Sequence, residues 1–154
     1  MGDYGQNAIQ AGDILMYQGD QDSGDILVED GFVVMTRSFE TMAYLCLFGG
    51  NEDDDGSDAT KNFQWWGNEG ELEERQYRGQ FQALLKGAPV TSQTRIDLGN
   101  AALADLEDVF VGGGYASAVD LDIEMPSNKR VELAISIKLT DGRELPLRVS
   151  GELA

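Results

Sequence analysis

The C-terminal third carries the plainest pattern. Val119, Leu121 and Ile123 alternate with Asp120, Asp122 and Glu124. Val131, Leu133, Ile135, Ile137 and Leu139 alternate with polar or small residues, and Leu145, Leu147 and Val149 do so again. A period of two puts each apolar set on one side of a strand, so residues 117–149 predict a three-stranded antiparallel meander with one wet face. Register follows because cross-strand partners share a face. A two-residue Asp141-Gly142 turn would pair Lys138 with Leu145 and mix the faces. A three-residue loop, Thr140-Asp141-Gly142, pairs Ile137 with Leu145 and Ile135 with Leu147, and puts Gly142 where a bulge wants glycine. Pro146 has no ladder donor, so the last strand is expected at an edge.

Upstream the spacing changes. Phe39, Met42, Ala43 and Cys46 fall at helical intervals, while Tyr44, Leu45, Leu47 and Phe48 fill the other faces. A short helix that is apolar all round is buried. Thr36 or Ser38 is its expected cap, Glu40 lies in its first turn, and Gly49-Gly50 stops it. A second helix is expected from about Leu72 to Lys86, with Tyr77, Phe81, Leu84 and Leu85 on one face and Gly87 as the stop. After Pro89, Thr91, Ser92 or Thr94 caps a third helix running to about Val111. Its expected buried stripe is Ile96, Leu103, Leu106 and Phe110, and Gly112-Gly113-Gly114 ends it.

At the N-terminal side, residues 1–11 are small and polar and read as a flexible arm; residues 12–154 read as one domain. Gly12-Asp13-Ile14-Leu15 recurs as Gly24-Asp25-Ile26-Leu27, which predicts two short strands, each ended by a turn. Asp30-Gly31 then predicts a hairpin joining Val28-Glu29 to Phe32–Met35. The fold class is α+β: an antiparallel meander, a small N-terminal hairpin and about three helices.

Charge changes the picture. The 154-residue chain carries a formal net charge of −17. Such a surface repels phosphate backbones and anionic membranes, so neither nucleic acid nor membrane is an expected partner, and a basic protein surface is. The charge is uneven: residues 1–60 hold 13 acids and one base, Arg37, whereas residues 125–154 hold five bases and four acids. The start, Met1-Gly2-Asp3-Tyr4, has neither a basic region nor an apolar run, so no secretory signal is expected. The one cysteine, Cys46, excludes an internal disulfide.

Candidate chemistry is sparse. The chain has no histidine, which removes His-based triads, histidine general bases and histidine metal sites together. Cys46, on a buried helix without a basic neighbour in sequence, reads as a core residue. Glu69, Glu71, Glu73 and Glu74 offer the two carboxyls that glycosidase chemistry needs. Clustered at a polar helix start, they read instead as a solvated first turn favoured by the helix dipole. Asn51, Asp53, Asp55 and Gly56 echo the opening of a calcium loop, but Asn62 stands where the bidentate glutamate belongs. Gly112-Gly113-Gly114 follows a helix instead of preceding one and reads as a linker, not a phosphate cradle. No cofactor, metal or catalytic residue is expected.

The most informative short motif is Trp65-Trp66-Gly67-Asn68. Two adjacent indoles in an acidic loop either plug the domain's own core or anchor an interface, and one can do each. Paired short strands with Gly-Asp turns, a buried helix, an acidic loop, this motif, two helices and a closing meander with Asp141-Gly142 follow in order. Over about residues 12–150 this order resembles the baseplate wedge protein family of Mu-like contractile-tailed phages, similar to the lysozyme-like wedge and sheath-initiator proteins. The resemblance implies a virion structural protein of the tail baseplate, assembled in the host cytoplasm, in six copies per baseplate. Its implied partners are the tail sheath protein and larger wedge proteins, with the tail tube or hub as further neighbours. The implied physics is strand addition: an extended segment gains main-chain hydrogen bonds along an open sheet edge. The residues expected at such contacts are Trp65, Trp66 and Asn68 in the motif, and Asp120, Asp122, Arg143, Leu145 and Arg148 on the meander.

Two other classes compete. A peptidoglycan-cleaving, muramidase-type enzyme on the same scaffold requires two carboxyls flanking one bond, one of them in an apolar pocket. A free adaptor tuned by calcium requires the acidic loop at 51–62 to bind the ion and to stabilise the chain on doing so.

Overall fold

The structure is a computed structural model that describes residues 13–18, 24–36, 39–49, 77, 79–87 and 89–153. In chain order these form β1 (Asp13–Ile14), β2 (Met16–Gln18), β3 (Gly24–Ile26), β4 (Val28–Glu29), β5 (Phe32–Val33) and β6 (Met35–Thr36). Then come α1 (Glu40–Phe48), α2 (Gln80–Gly87) and α3 (Ser92–Phe110), followed by β7 (Ala116–Ser127), β8 (Arg130–Leu139) and β9 (Glu144–Glu152). The class is α+β, as the pattern predicts. The expected arm at 1–11, the acidic loop at 51–62 and the Trp65-Trp66-Gly67-Asn68 motif lie outside the described residues.

The meander has the order β7-β8-β9, with Ile137 opposite Leu145 and Ile135 opposite Leu147. The three-residue loop is the one observed: Gly142 takes φ 90°, its N–H donates to Leu139 O (3.0 Å), and Leu139 N–H donates to Arg143 O (2.9 Å). That last bond fixes which way every main-chain group points. Leu139, Ile137, Ile135 and Leu133 bond toward β9, whereas Lys138, Ser136, Ala134 and Glu132 bond toward β7. On the core side, Val131, Leu133, Ile135, Ile137 and Leu139 of the central strand are all buried. Burying each such side chain contributes about 1.5–3 kcal/mol.

The helices cover that face. α3 packs on β7 and α2 packs on α3. Thr91 caps α3 in a reciprocal box with Thr94, and Thr94 also bonds Pro89 O. Beyond Phe110, Tyr115 N–H donates to Phe110 O (2.8 Å) and Gly114 N–H to Val111 O (3.1 Å), with Gly114 at φ 80°, a Schellman ending. The buried stripe of α3 is Thr94, Leu98, Ala101, Ala102, Asp105, Leu106 and Phe110. Ile96, expected in the stripe, is 51% exposed. It lies two residues, about 200° of helix, from Leu98, and Leu103 sits half-buried at the margin. The small pair Ala101-Ala102 faces inward and sets the helix's rotation.

Two further helix expectations are corrected. The second helix begins at Gln80, since Tyr77 and Gly79 are not helical and Gly79 takes φ 69°. The stretch from Leu72 to Gln76 lies outside the described residues. Phe81 and Leu85 are buried, as the face predicts. α1 is buried on most sides, but its N-cap position is Phe39, with no side-chain cap. Thr36 belongs to β6, and Ser38 lies outside the described residues. Edge-on aromatic contacts join the helices: Phe48 to Phe81 (5.8 Å) and Phe39 to Phe110 (6.0 Å).

The N-terminal strands form a three-armed cap. β1 pairs with β6, β2 with β3 and β4 with β5, all antiparallel. Segments 13–18, 24–29 and 32–36 thus each pair with both of the others, changing partner at a central residue. The central residues close a ring: Leu15 N–H donates to Val34 O, Val34 N–H to Leu27 O, and Leu27 N–H to Leu15 O. The expected hairpin is one arm, with Asp30 at φ 50° and Gly31 at φ 81°, as a two-residue primed turn requires. Each repeat copy, expected as one strand, is split at its leucine, because the leucine's main chain serves the ring. Thr41 pins the cap to α1: its hydroxyl donates to Ile14 O and accepts from Met16 N–H (3.1 Å).

Candidate functional site

The meander's outer strands, β7 and β9, present regular open edges. On β7, the residues that alternate with the β8-bonded set are Val119, Leu121 and Ile123, so their N–H and C=O groups point away from the sheet. Among the described residues, no hydrogen bond engages this row. On β9 the outward row is Glu144, Pro146, Arg148, Ser150 and Glu152. Pro146, opposite Ser136, therefore turns its donorless nitrogen to the open edge, and the expected edge position of this strand is observed.

The wet face joins these edges. Asp120 lies opposite Ser136, Asp122 opposite Ala134, and Ala134 opposite Arg148. Asp120, Asp122 and Glu124 are exposed, and among the described residues no ion pair or hydrogen bond holds their carboxylates. Arg148 is likewise exposed and unpaired among them. Elsewhere on the face Arg130 bonds Glu132 (3.3 Å) and Ser150 (2.9 Å), and Ser136 bonds Glu144, while the exposed Lys138 ammonium has no partner among the described residues.

The remaining expected contact residues fall in different places. Arg143 sits on the exposed turn, where its Nε meets Asp141 Oδ2 (2.6 Å) and its N–H donates to Asp141 Oδ1 (2.9 Å). The main-chain bond from Arg143, followed by its guanidinium, holds the Asp141 carboxyl below its usual range. Leu145 is buried in the core and its main chain pairs with Ile137, so it offers a neighbour neither side chain nor backbone. Trp65, Trp66 and Asn68 lie outside the described residues, as do Glu69, Glu71, Glu73 and Glu74. The structure thus brings Asp120, Asp122 and Arg148 onto one face, with Arg143 at its end.

Two groups have a structural role. Cys46 is a free, buried thiol that burial, with Asp105 and Asp108 adding, pushes far above its usual range. Its reactive thiolate is therefore suppressed. Asp105 is buried and accepts from Phe81 N–H (2.9 Å) and Gln80 N–H (3.3 Å), so α3 caps the start of α2. The sequence pattern does not assign this carboxylate a role; its one sign is an acid interrupting an apolar helical stripe. No group of three His, Cys, Asp or Glu side chains among the described residues is arranged to hold a metal ion. No helix among them is long and apolar enough to cross a membrane.

A second surface is apolar. Cross-strand pairs Ile14–Met35, Met16–Ile26 and Val28–Val33 flank the ring residues of the cap. Ile14, Ile26, Val28, Val33 and Met35 are all exposed, and Phe32 at the hairpin end is 77% exposed beside exposed Glu29 and Asp30. Clustered exposed apolar groups with a charged rim are characteristic of protein contact surfaces. Comparison with known proteins finds no matching family model, curated protein or solved structure.

Proposed function

We propose that this protein is a structural component of a contractile phage tail baseplate, which joins the wedge and templates the first sheath ring by strand addition. The observation that carries the proposal is the three-stranded meander with outward main-chain rows on both outer strands. An extended segment from a neighbouring subunit gains a ladder of hydrogen bonds there, and the flanking side chains give selectivity. The exposed apolar cap around Phe32 serves as the attachment to larger wedge proteins, with Glu29 and Asp30 meeting basic groups at its rim. No turnover of substrate is part of this role, since the chain has no histidine and its buried thiol is suppressed.

The test is co-expression of the tagged full chain with sheath and wedge proteins of a contractile tail. The proposal expects both to be retained, and expects the chain in isolated tail particles in six copies per baseplate. Isolated tails whose baseplates lack the chain overturn it. Clearing of purified peptidoglycan by the chain alone overturns the non-enzymatic part.

A further inference from the structure

We infer that the outer edge of β7, not that of β9, receives the added strand, and that this strand alternates basic with apolar residues; the inference rests on the strand-addition reading above. The two edges differ in what they offer. The β9 row contains Pro146, which forfeits a donor at the second of its five positions. The β7 row offers donor and acceptor at each of Val119, Leu121 and Ile123, within a stretch of unbroken register from Ala118 to Glu124. Irregular pairing on either side, between Ala116 and Ala118 and between Glu124 and Ser127, delimits the ladder.

The side chains beside that row define the occupant. Asp120, Asp122 and Glu124 line the wet face of β7, exposed and without a salt-bridge partner among the described residues. A strand added alongside sets its own wet-face side chains about 4.5–5.5 Å away, where opposite charges stabilise and like charges destabilise. Those side chains are therefore lysine or arginine. On the other face Leu121 and Ile123 are only half-buried, although their counterparts on β8, Ile135 and Leu133, are buried. α3 passes directly over this edge: a methyl group added at Gly99 would lie 3.4 Å from Ile123 Cγ2. Ile96 and Leu103 flank Gly99 at three- and four-residue spacing on the same side of the helix. The exposure of Ile96 thereby acquires a reason, as part of an apolar roof over the incoming strand's apolar side chains.

The same charges exclude a second copy of this chain. Pairing β7 with β7 sets acid rows against each other, which is how natural sheets refuse edge-to-edge association. The row thus repels its own kind and admits a basic strand, so one feature gives both selectivity and protection.

The experiment titrates the full chain with a nine-residue peptide alternating lysine and valine, and follows amide exchange and chemical shifts by NMR. Control peptides are a scrambled sequence of the same composition and an alternation of glutamate and valine. The expected result is protection of the Val119, Leu121 and Ile123 amides by the first peptide alone. D120K/D122K, which alters only exposed side chains, weakens its binding at least tenfold, whereas P146V leaves it unchanged. Protection at the Glu144, Arg148 or Ser150 amides, equal binding of the scrambled peptide, or no binding overturns the inference. The same variant separates this from the function itself. If D120K/D122K still retains sheath protein in the co-expression assay, the edge assignment fails and the baseplate role stands. If neither wild type nor variant retains any tail protein, the baseplate role fails.

Discussion

Replacing Asp105 with alanine probes how the helices are held over the sheet. Its buried carboxylate accepts the first two main-chain N–H groups of α2, from Gln80 and Phe81. α2 in turn seats Leu85 against Gly151 of β9, where an added Cβ would come within 2.7 Å of Leu85 Cδ1. A hydrogen bond to a charged group contributes about 1.5–3 kcal/mol, and the bond from Gln80, at 3.3 Å, belongs at the weak end. Removing the acceptor also leaves the Phe81 donor unpaired in the interior, offset in part by the desolvation that the carboxylate no longer suffers. The net expected loss is about 3 kcal/mol. For a chain of this length that lowers Tm by about 6–12 °C. D105N keeps the shape but accepts at one position only, and should lose about 1.5 kcal/mol. The assay is urea unfolding, with the m-value unchanged, together with amide exchange at Gln80 and Phe81. D105A within about 0.5 kcal/mol of wild type, or unchanged exchange at those two amides, would refute the capping role.

Three further outcomes follow from the packing. Leu98→Ala should cost about 3 kcal/mol in urea unfolding, whereas Ile96→Ala should stay within about 0.5 kcal/mol, because only Leu98 is enclosed. Gly142→Ala should cost about 1 kcal/mol through strain at φ 90° alone, since nothing lies within 4 Å of the added Cβ. Cys46 should resist thiol reagents until the chain unfolds. Its folded pKa lies above the ordinary value near 9.0, so at higher pH only the unfolded chain loses the proton and native stability falls as pH rises. Stability measured against Cys46→Ala should decline by about 1.4 kcal/mol per pH unit above that point.

Local pattern and tertiary context divided the work according to how much each element depends on its neighbours. Strand alternation and one glycine were enough for the meander: a one-residue slip would have put Leu145 on the wet face, so the register was fixed before any helix was placed. Thr91 and Gly114 likewise mark the ends of α3 through bonds to residues near them in sequence. The face of α3 was not legible in this way, because both Ile96 and Leu98 suit a helix and only packing on β7 separates them. Asp105 was hidden for the same reason, since the N–H groups that justify a buried acid lie 24 and 25 residues away in sequence. The Gly-Asp-Ile-Leu repeat announced strands, but the ring joining Leu15, Leu27 and Val34 needs three segments at once. The candidate site shows the same division. Asp120, Asp122 and Arg148 could be placed on one face by counting residues, whereas the choice of open edge depends on hydrogen-bond direction. The face a side chain takes repeats every two residues and is written in the chain; whether an outward main-chain donor meets another strand depends on which strand lies beside it, and only the assembled sheet decides that.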